Sequence, residues 1–201
     1  MRPIKEKKER SLNTKLFLKA ERCNSPKCVM IRRPYKPGQH GKKRSRPISE
    51  FGKQLQEKQK IQTVYGLTNR QMMFLFRNYS SKEKIQEILE TRLDRVVFLL
   101  GLGPSPRVAR QLVSHGHILV NGRKVTISSF GVRIGDVVSI RPESANHKVF
   151  EDLRIRLKQY APPDWLKLNL EKLAGECVAM PVFGDTQRIF DVNMVGEFYS
   201  R

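Results

Sequence analysis

The sequence predicts an α+β protein: an extended basic front end, helices through the first half, and a small, mainly antiparallel sheet with short helices in the second. Three observations carry this prediction. Helix caps and apolar periodicity recur between Ser49 and Leu100, and Asn121-Gly122 joins two alternating runs as a tight hairpin does. The charge is one-sided as well, since residues 1 to 70 hold 20 Lys+Arg against 5 Asp+Glu, a net +15 of the +20 carried by all 201 residues.

A chain of this length can hold one large domain or two small ones and bury roughly 70% of its unfolded surface. So uneven a positive excess repels itself unless a polyanion offsets it, and nucleic acid is the first candidate. Three cysteines, Cys23, Cys28 and Cys177, make no even disulfide framework, and the front carries no apolar secretory stretch, so a reducing compartment is expected. Glu6 and Glu9 also spoil the acid-poor pattern of an organellar transit peptide, and no run is long and apolar enough to span a membrane.

Residues 1 to 48 show little helical or strand periodicity and are broken by Pro26, Pro34, Pro37, Gly38, Gly41 and Pro47, which predicts an extended arm. Ser49 caps a helix over 50–65 that Gly66 ends, and Thr68 with Gln71 forms a capping-box pattern for a second helix reaching Tyr79. Ser80 with Glu83 repeats that signature for a third helix, whose stripe Ile85, Ile88, Leu89, Val96, Val97 and Leu100 is core and which Gly101 and Gly103 stop. Ser105-Pro106 opens a short helix over 107–114, with Gly116 just past its end.

Strands then take over. Residues 117–120 and 123–127 flank the Asn-Gly turn, and Gly135-Asp136 leads into a strand over 137–141. Asn146 is a candidate cap for a helix to about Tyr160. Leu166, Leu168 and Leu170 alternate as a half-buried strand, paired across Gly175 with residues 176–180, and Asp191 caps a last helix to Tyr199.

Two constellations carry RNA-binding chemistry. In the arm, Arg32, Arg33, Lys36, Lys42, Lys43, Arg44 and Arg46 can neutralise phosphates, Tyr35, Gln39 and His40 can stack on or hydrogen-bond unpaired bases, and Gly38 and Gly41 let the backbone approach closely. A plain basic linker needs neither Tyr35 nor this much proline. In the second half, Arg107, Arg110 and Gln111 share one helix face, and His115, His117, Asn121, Arg123 and Lys124 follow on the next turn and hairpin. Arg22 in the arm and Lys53, Lys58, Lys60 and Arg70 on the first two helices complete the candidate RNA contacts.

From Lys15-Leu-Phe-Leu-Lys19 through Pro37-Gly-Gln-His-Gly41 to Gln54-Leu-Gln-Glu-Lys-Gln-Lys60, the chain resembles the bacterial-type fourth protein of the small ribosomal subunit. Thr91-Arg-Leu-Asp94, Ala109-Arg-Gln-Leu-Val-Ser-His-Gly-His-Ile118 and Val120-Asn-Gly122 are similar to the RNA-binding module named after that family, and Glu197-Phe-Tyr-Ser-Arg201 is similar to its ending. The resemblance implies three parts: a basic rRNA-binding arm over 1–48, a helical domain over 49–90 rejoined by a C-terminal helix at 190–201, and an inserted RNA-binding module over 91–189. It implies a structural constituent of the small ribosomal subunit, a primary rRNA-binding protein that nucleates assembly at a 5′-domain junction and contributes to translational accuracy. It further implies the third and fifth small-subunit proteins as neighbours and mRNA at the entry passage, faced by Lys43 and Arg46. The place of work is then the ribosome, cytoplasmic in a bacterium, with an organellar ribosome left open.

Many members of that family hold zinc with four cysteines. Here Cys23-x4-Cys28 matches the second pair while Glu6 and Glu9 stand at the positions of the first, so half of the site is missing; thiolate-plus-carboxylate ligation of zinc stays chemically open, but the favoured expectation is two reduced thiols and no cofactor. Three alternatives fare worse. A pseudouridine synthase resembles module first and catalytic domain after, whereas Asp94 of the Arg92-Leu-Asp94 sequence precedes the module and too few residues follow it, so Asp94 is a helix-surface or salt-bridged residue and no enzyme is expected. A stand-alone stress-type RNA binder lacks the long motif-rich arm, and a DNA-binding protein would set a recognition helix that nothing here resembles.

Overall fold

The computed structural model describes residues 6–43, 47–145, 147, 150–151, 153–158, 160–181 and 190–200. The chain forms two compact units, Met1–Ile85 with Phe183–Arg201, and Gln86–Val182.

In the first unit, short helices α1 (Lys7–Leu12), α2 (Ala20–Asn24) and α3 (Val29–Arg32) precede α4 (Glu50–Tyr65) and α5 (Asn69–Asn78). The front end is thus less extended than its prolines and glycines imply. Its local signals are weak, but long-range contacts order it: Glu9 Oε1 accepts the main-chain N–H groups of Leu16 and Leu18, and Leu12, Leu16, Leu18, Cys23 and Cys28 are buried.

The longer helices follow their sequence signatures. Ser49 Oγ accepts from Gly52 N, Gly66 ends α4 at φ +60°, and Thr68 and Gln71 form a reciprocal capping box on α5. Asp191 accepts from Asn193 N and starts the last helix, α10 (Val192–Tyr199), which packs on α4 and α5. Gln54 Nε2 donates to Glu197, Phe51 tilts against Phe198, and Phe76 stacks on Tyr199, so the chain's end completes the helical core.

The stretch expected as one helix from Ser80 to Leu100 is two: α6 (Lys82–Glu90) and α7 (Leu93–Leu99). The cap is Ser81, one residue later than Ser80, and accepts from Lys84 N. The break has a nonlocal cause, because Thr91 and Arg92 leave the helical path to pair with 130–132: Leu93 N donates to Phe130 O, Val132 N to Thr91 O, and Arg92 bridges Gly131.

Helix α8 (Pro106–Ser114) is capped by Ser105 and carries Pro106 in its first turn. A five-stranded antiparallel sheet follows, in the order β2-β1-β3-β5-β4, made of β1 (Ile118–Val120), β2 (Arg123–Lys124), β3 (Val137–Ile140), β4 (Leu166–Asn169) and β5 (Ala174–Cys177). Asn121 and Gly122 turn the β1–β2 hairpin at φ +50° and +76°, as a type I′ turn requires. Leu93, Val96 and Val97 of α7, Leu100 just past its end, and Leu112 and Val113 of α8 pack with Ile118, Val138, Ile140 and Trp165 in one core.

Three boundaries differ from expectation, the first being the strand expected over 123–127, which is only Arg123–Lys124. The helix expected over 146–160 is a 3₁₀ turn at Pro142–Ser144 followed by α9 (Leu153–Lys158), with the expected cap Asn146 outside the described residues. Gly175 is not the turn but lies inside β5, paired with Leu168. The turn residue is Leu173, at φ +47°, and Gly175 lies where a Cβ would meet the Leu100 side chain.

Candidate nucleic-acid interface

In the first unit, α1 and α3 bring cations together. A cleft of about 300 Å³ is lined by Lys7, Arg10, Arg22, Arg32 and Arg33, with Glu6 and Val29. Arg32 and Arg33 are exposed, whereas Arg22 pairs with Glu6 at 3.4 Å. Arg10 is buried and internal: its Nε donates to Tyr35 O, an Nη to Lys36 O, and its guanidinium lies 4.8 Å from the Tyr35 ring centroid. Lys42 Nζ approaches the same ring at 5.4 Å, so two cations lie against Tyr35.

The Pro37-Gly-Gln-His-Gly41 stretch is a tight turn. Gly38 has φ +109° and accepts from Gly41 N, and a Cβ at Gly41 would run into the Lys36 carbonyl. Lys36, Gln39, His40, Lys42 and Lys43 are all exposed on this turn, whereas Arg44 and Arg46 lie outside the described residues.

The cations of α4 are less available than their sequence positions imply. Lys60 bonds Glu57 at 2.6 Å with both side chains largely buried, and Lys53 pairs with Glu50 at 3.2 Å in solvent. Lys58 Nζ lies 4.3 Å from the Phe198 ring and 5.0 Å from that of Tyr199, and burial pulls its pKa down. Arg70 is exposed on α5.

The residues present do not fit a four-ligand zinc site. Cys23 and Cys28 are buried and unbridged, and burial first, then Glu9 and Cys28, pushes the Cys23 thiol up, away from the thiolate a metal needs. Glu9 is bound to two amides and Glu6 to Arg22. Among the described residues, no three His, Cys, Asp or Glu side chains converge to hold a metal.

In the second unit, α8 and the β1–β2 hairpin gather the other candidates. Gln111, His115, Asn121, Arg123 and Lys124 are exposed, and Arg107, Arg110 and His117 are half-buried. Two of these have internal work. Arg110 reaches the buried Asp94 at 3.5 Å, and Asn121 locks the hairpin by donating to Asp136 and accepting from Val137 N.

His117 Nδ1 lies 2.9 Å from Ser144 Oγ, and its ring is 5.1 Å from that of His147 and 6.0 Å from that of His115. Burial, then His147, His115, Arg141 and Lys124, hold its pKa below the ordinary value of 6.5. Arg10, Arg141 and His147 are thus contributors that sequence reasoning missed. Arg10 could be found only through its long-range carbonyl partners, and Arg141 and His147 only through the fold that brings them to His117.

Asp94 accepts a bidentate pair from Arg92, which suits a salt-bridged residue. No described helix is long and apolar enough to cross a membrane.

Two family models match the chain. "Ribosomal protein S4/S9 N-terminal domain" covers residues 2–93, and "S4 domain" covers residues 91–138. Similar proteins include the small ribosomal subunit protein uS4 of Halothermothrix orenii, 45% identical over 193 residues, and that of Thermus thermophilus, 44% identical over 192 residues. A third is that of Syntrophomonas wolfei, 40% identical over 192 residues; each alignment spans 93% of this chain and 92% of the relative.

Proposed function

This chain belongs to the uS4 family of small ribosomal subunit proteins, and from that premise we propose that it is a primary rRNA-binding protein nucleating assembly at a 5′-domain junction. The coarser statement stands by itself: the chain is a structural, non-enzymatic constituent of the small subunit that binds rRNA.

The observation that carries the finer reading is the anchoring of the front end. Arg10 ties α1 to the backbone of Tyr35 and Lys36, which holds the Tyr35 ring and the exposed cations of 36–43 on one ordered turn. A preset cationic surface forfeits less ordering entropy on binding than a flexible tail, which suits a protein that binds first, without help from others. The front end 1–48 is then the chief rRNA grip, residues 49–90 with 190–201 its helical support, and 91–189 a second RNA-binding module working through Arg107, Gln111, His115, Arg123 and Lys124. Lys43 and Arg46 face the message at the entry passage beside the third and fifth small-subunit proteins, which is the route to translational accuracy.

The test is binding of the purified full chain to a transcript of the 5′ domain of small-subunit rRNA, alone and across a salt series. Tight binding without other ribosomal proteins, weakened by salt and absent on a 3′-domain transcript, is the expected result. Binding that needs another ribosomal protein to be present first overturns the primary role.

A further inference from the structure

Helix α5 (Asn69–Asn78) contains no acidic residue. Its inner face is used: Met72 is 0% exposed, Leu75 is buried, and Phe76 stacks on Tyr199 with ring centroids 5.2 Å apart. At 100° per residue, Arg70, Met73, Phe74 and Arg77 fall together on the opposite face. Phe74 is 64% exposed and Met73 41%, the first among the largest apolar exposures in the described chain. Among the described residues Phe74 has no ring or cation partner, and neither Arg70 nor Arg77 has an ion pair or a side-chain hydrogen bond.

An aromatic ring held in water between two uncompensated arginines, at i−4 and i+3, fits a nucleotide. The ring offers a stacking face, and the cations offer phosphate contacts on either side of it. An apolar protein partner would have to desolvate both guanidinium groups to reach the ring.

We propose that the outer face of α5 is a stacking site for an unpaired rRNA base, with Phe74 as the platform and Arg70 and Arg77 as its flanking phosphate contacts. The proposal rests on the reading of the chain as an rRNA binder and names a contact beyond the front end and the second module. Because all three side chains point to solvent, their replacement leaves the helical core intact.

The experiment compares full-length wild type, Phe74→Leu and Phe74→Trp on the small-subunit 5′-domain transcript, with thermal melts as the folding control. Stacking of one base predicts a loss of about 5- to 100-fold for Phe74→Leu and none for Phe74→Trp. Replacing Arg70 and Arg77 together by Gln lowers the slope of log affinity against log salt by roughly 1.5. A benzophenone photoprobe at position 74, in assembled subunits, labels rRNA.

Wild-type affinity in Phe74→Leu overturns the stacking site while leaving the rRNA-binding reading intact. Photolabelling of a ribosomal protein does the same and assigns the face to a protein neighbour. A wild-type chain that does not bind the transcript overturns both.

Discussion

Arg92 and Asp94 form a bidentate ion pair at the start of α7, Nε to Oδ1 at 3.0 Å and Nη2 to Oδ2 at 2.8 Å, with both residues under a tenth exposed. The pair sits where residues 91–93 exchange main-chain bonds with 130–132, Leu93 N donating to Phe130 O and Val132 N to Thr91 O, so it holds the junction between α6 and α7. Removing one partner of a buried pair leaves the other charge uncompensated, at a cost of about 3–5 kcal/mol, whereas replacing both by apolar residues can be close to neutral. Asp94→Ala therefore loses about 3 kcal/mol in urea unfolding, and the double change Arg92→Leu with Asp94→Leu recovers much of it. Equal losses in the two variants would show that packing, and not charge, dominates there.

Gly175 allows β5 to cross directly over Leu100. A Cβ at that position meets the Leu100 side chain at a distance no real contact shows, and Leu100 is 0% exposed, so it has no free space to move into. Gly175→Ala costs about 1–3 kcal/mol through overpacking, and pairing it with Leu100→Ala returns part of that loss by opening room. Strict additivity of the two changes in chemical denaturation would count against the contact.

The fold was legible wherever its cause was local. Ser49, the Thr68–Gln71 box, Ser105-Pro106, Asn121-Gly122 and Asp191 each satisfy backbone groups within a few residues, and each element starts where its signal stands. Nonlocal causes were not legible. The break between α6 and α7 comes from pairing with 130–132, the strand position of Gly175 from Leu100, and the helices within 7–32 from the bonds of Glu9 and Arg10. The candidate interface divides the same way. Residue type marks out the cations, but only the fold tells exposed Arg32, Arg33 and Lys124 from Lys60, which is engaged by Glu57, or Asn121, which is engaged by Asp136.

Glu9 is the hinge of the front end. Its Oε1 takes the N–H groups of Leu16 at 3.0 Å and Leu18 at 3.2 Å, and the residue is 2% exposed. Glu9→Ala orphans two buried donors and costs about 2–4 kcal/mol, while Glu9→Gln keeps an acceptor and loses less. With the carboxylate so engaged, prolonged chelation leaves the melting temperature unchanged, and elemental analysis finds less than stoichiometric zinc. A melting temperature that drops on chelation and returns with zinc refutes this metal-free order.

His117 gives the protein a pH dependence whose sign follows from its depressed pKa. The unfolded chain takes up this proton near pH 6.5, and the folded chain only at lower pH, because burial and the charges of His147, His115, Arg141 and Lys124 oppose it. Between those two values the unfolded state holds more protons, so the contribution to stability is fully present above 6.5 and is lost as pH falls through the folded value. His117→Gln removes that slope below pH 6.5 in urea unfolding while retaining a partner for Ser144. RNA reverses the sign. A phosphate at this cluster favours the protonated ring, so affinity for the 5′-domain transcript rises as pH falls across the same window, and His117→Gln flattens the rise. Affinity that is independent of pH in the wild type would remove phosphate from the neighbourhood of His117 and leave its bond to Ser144 as a purely structural one.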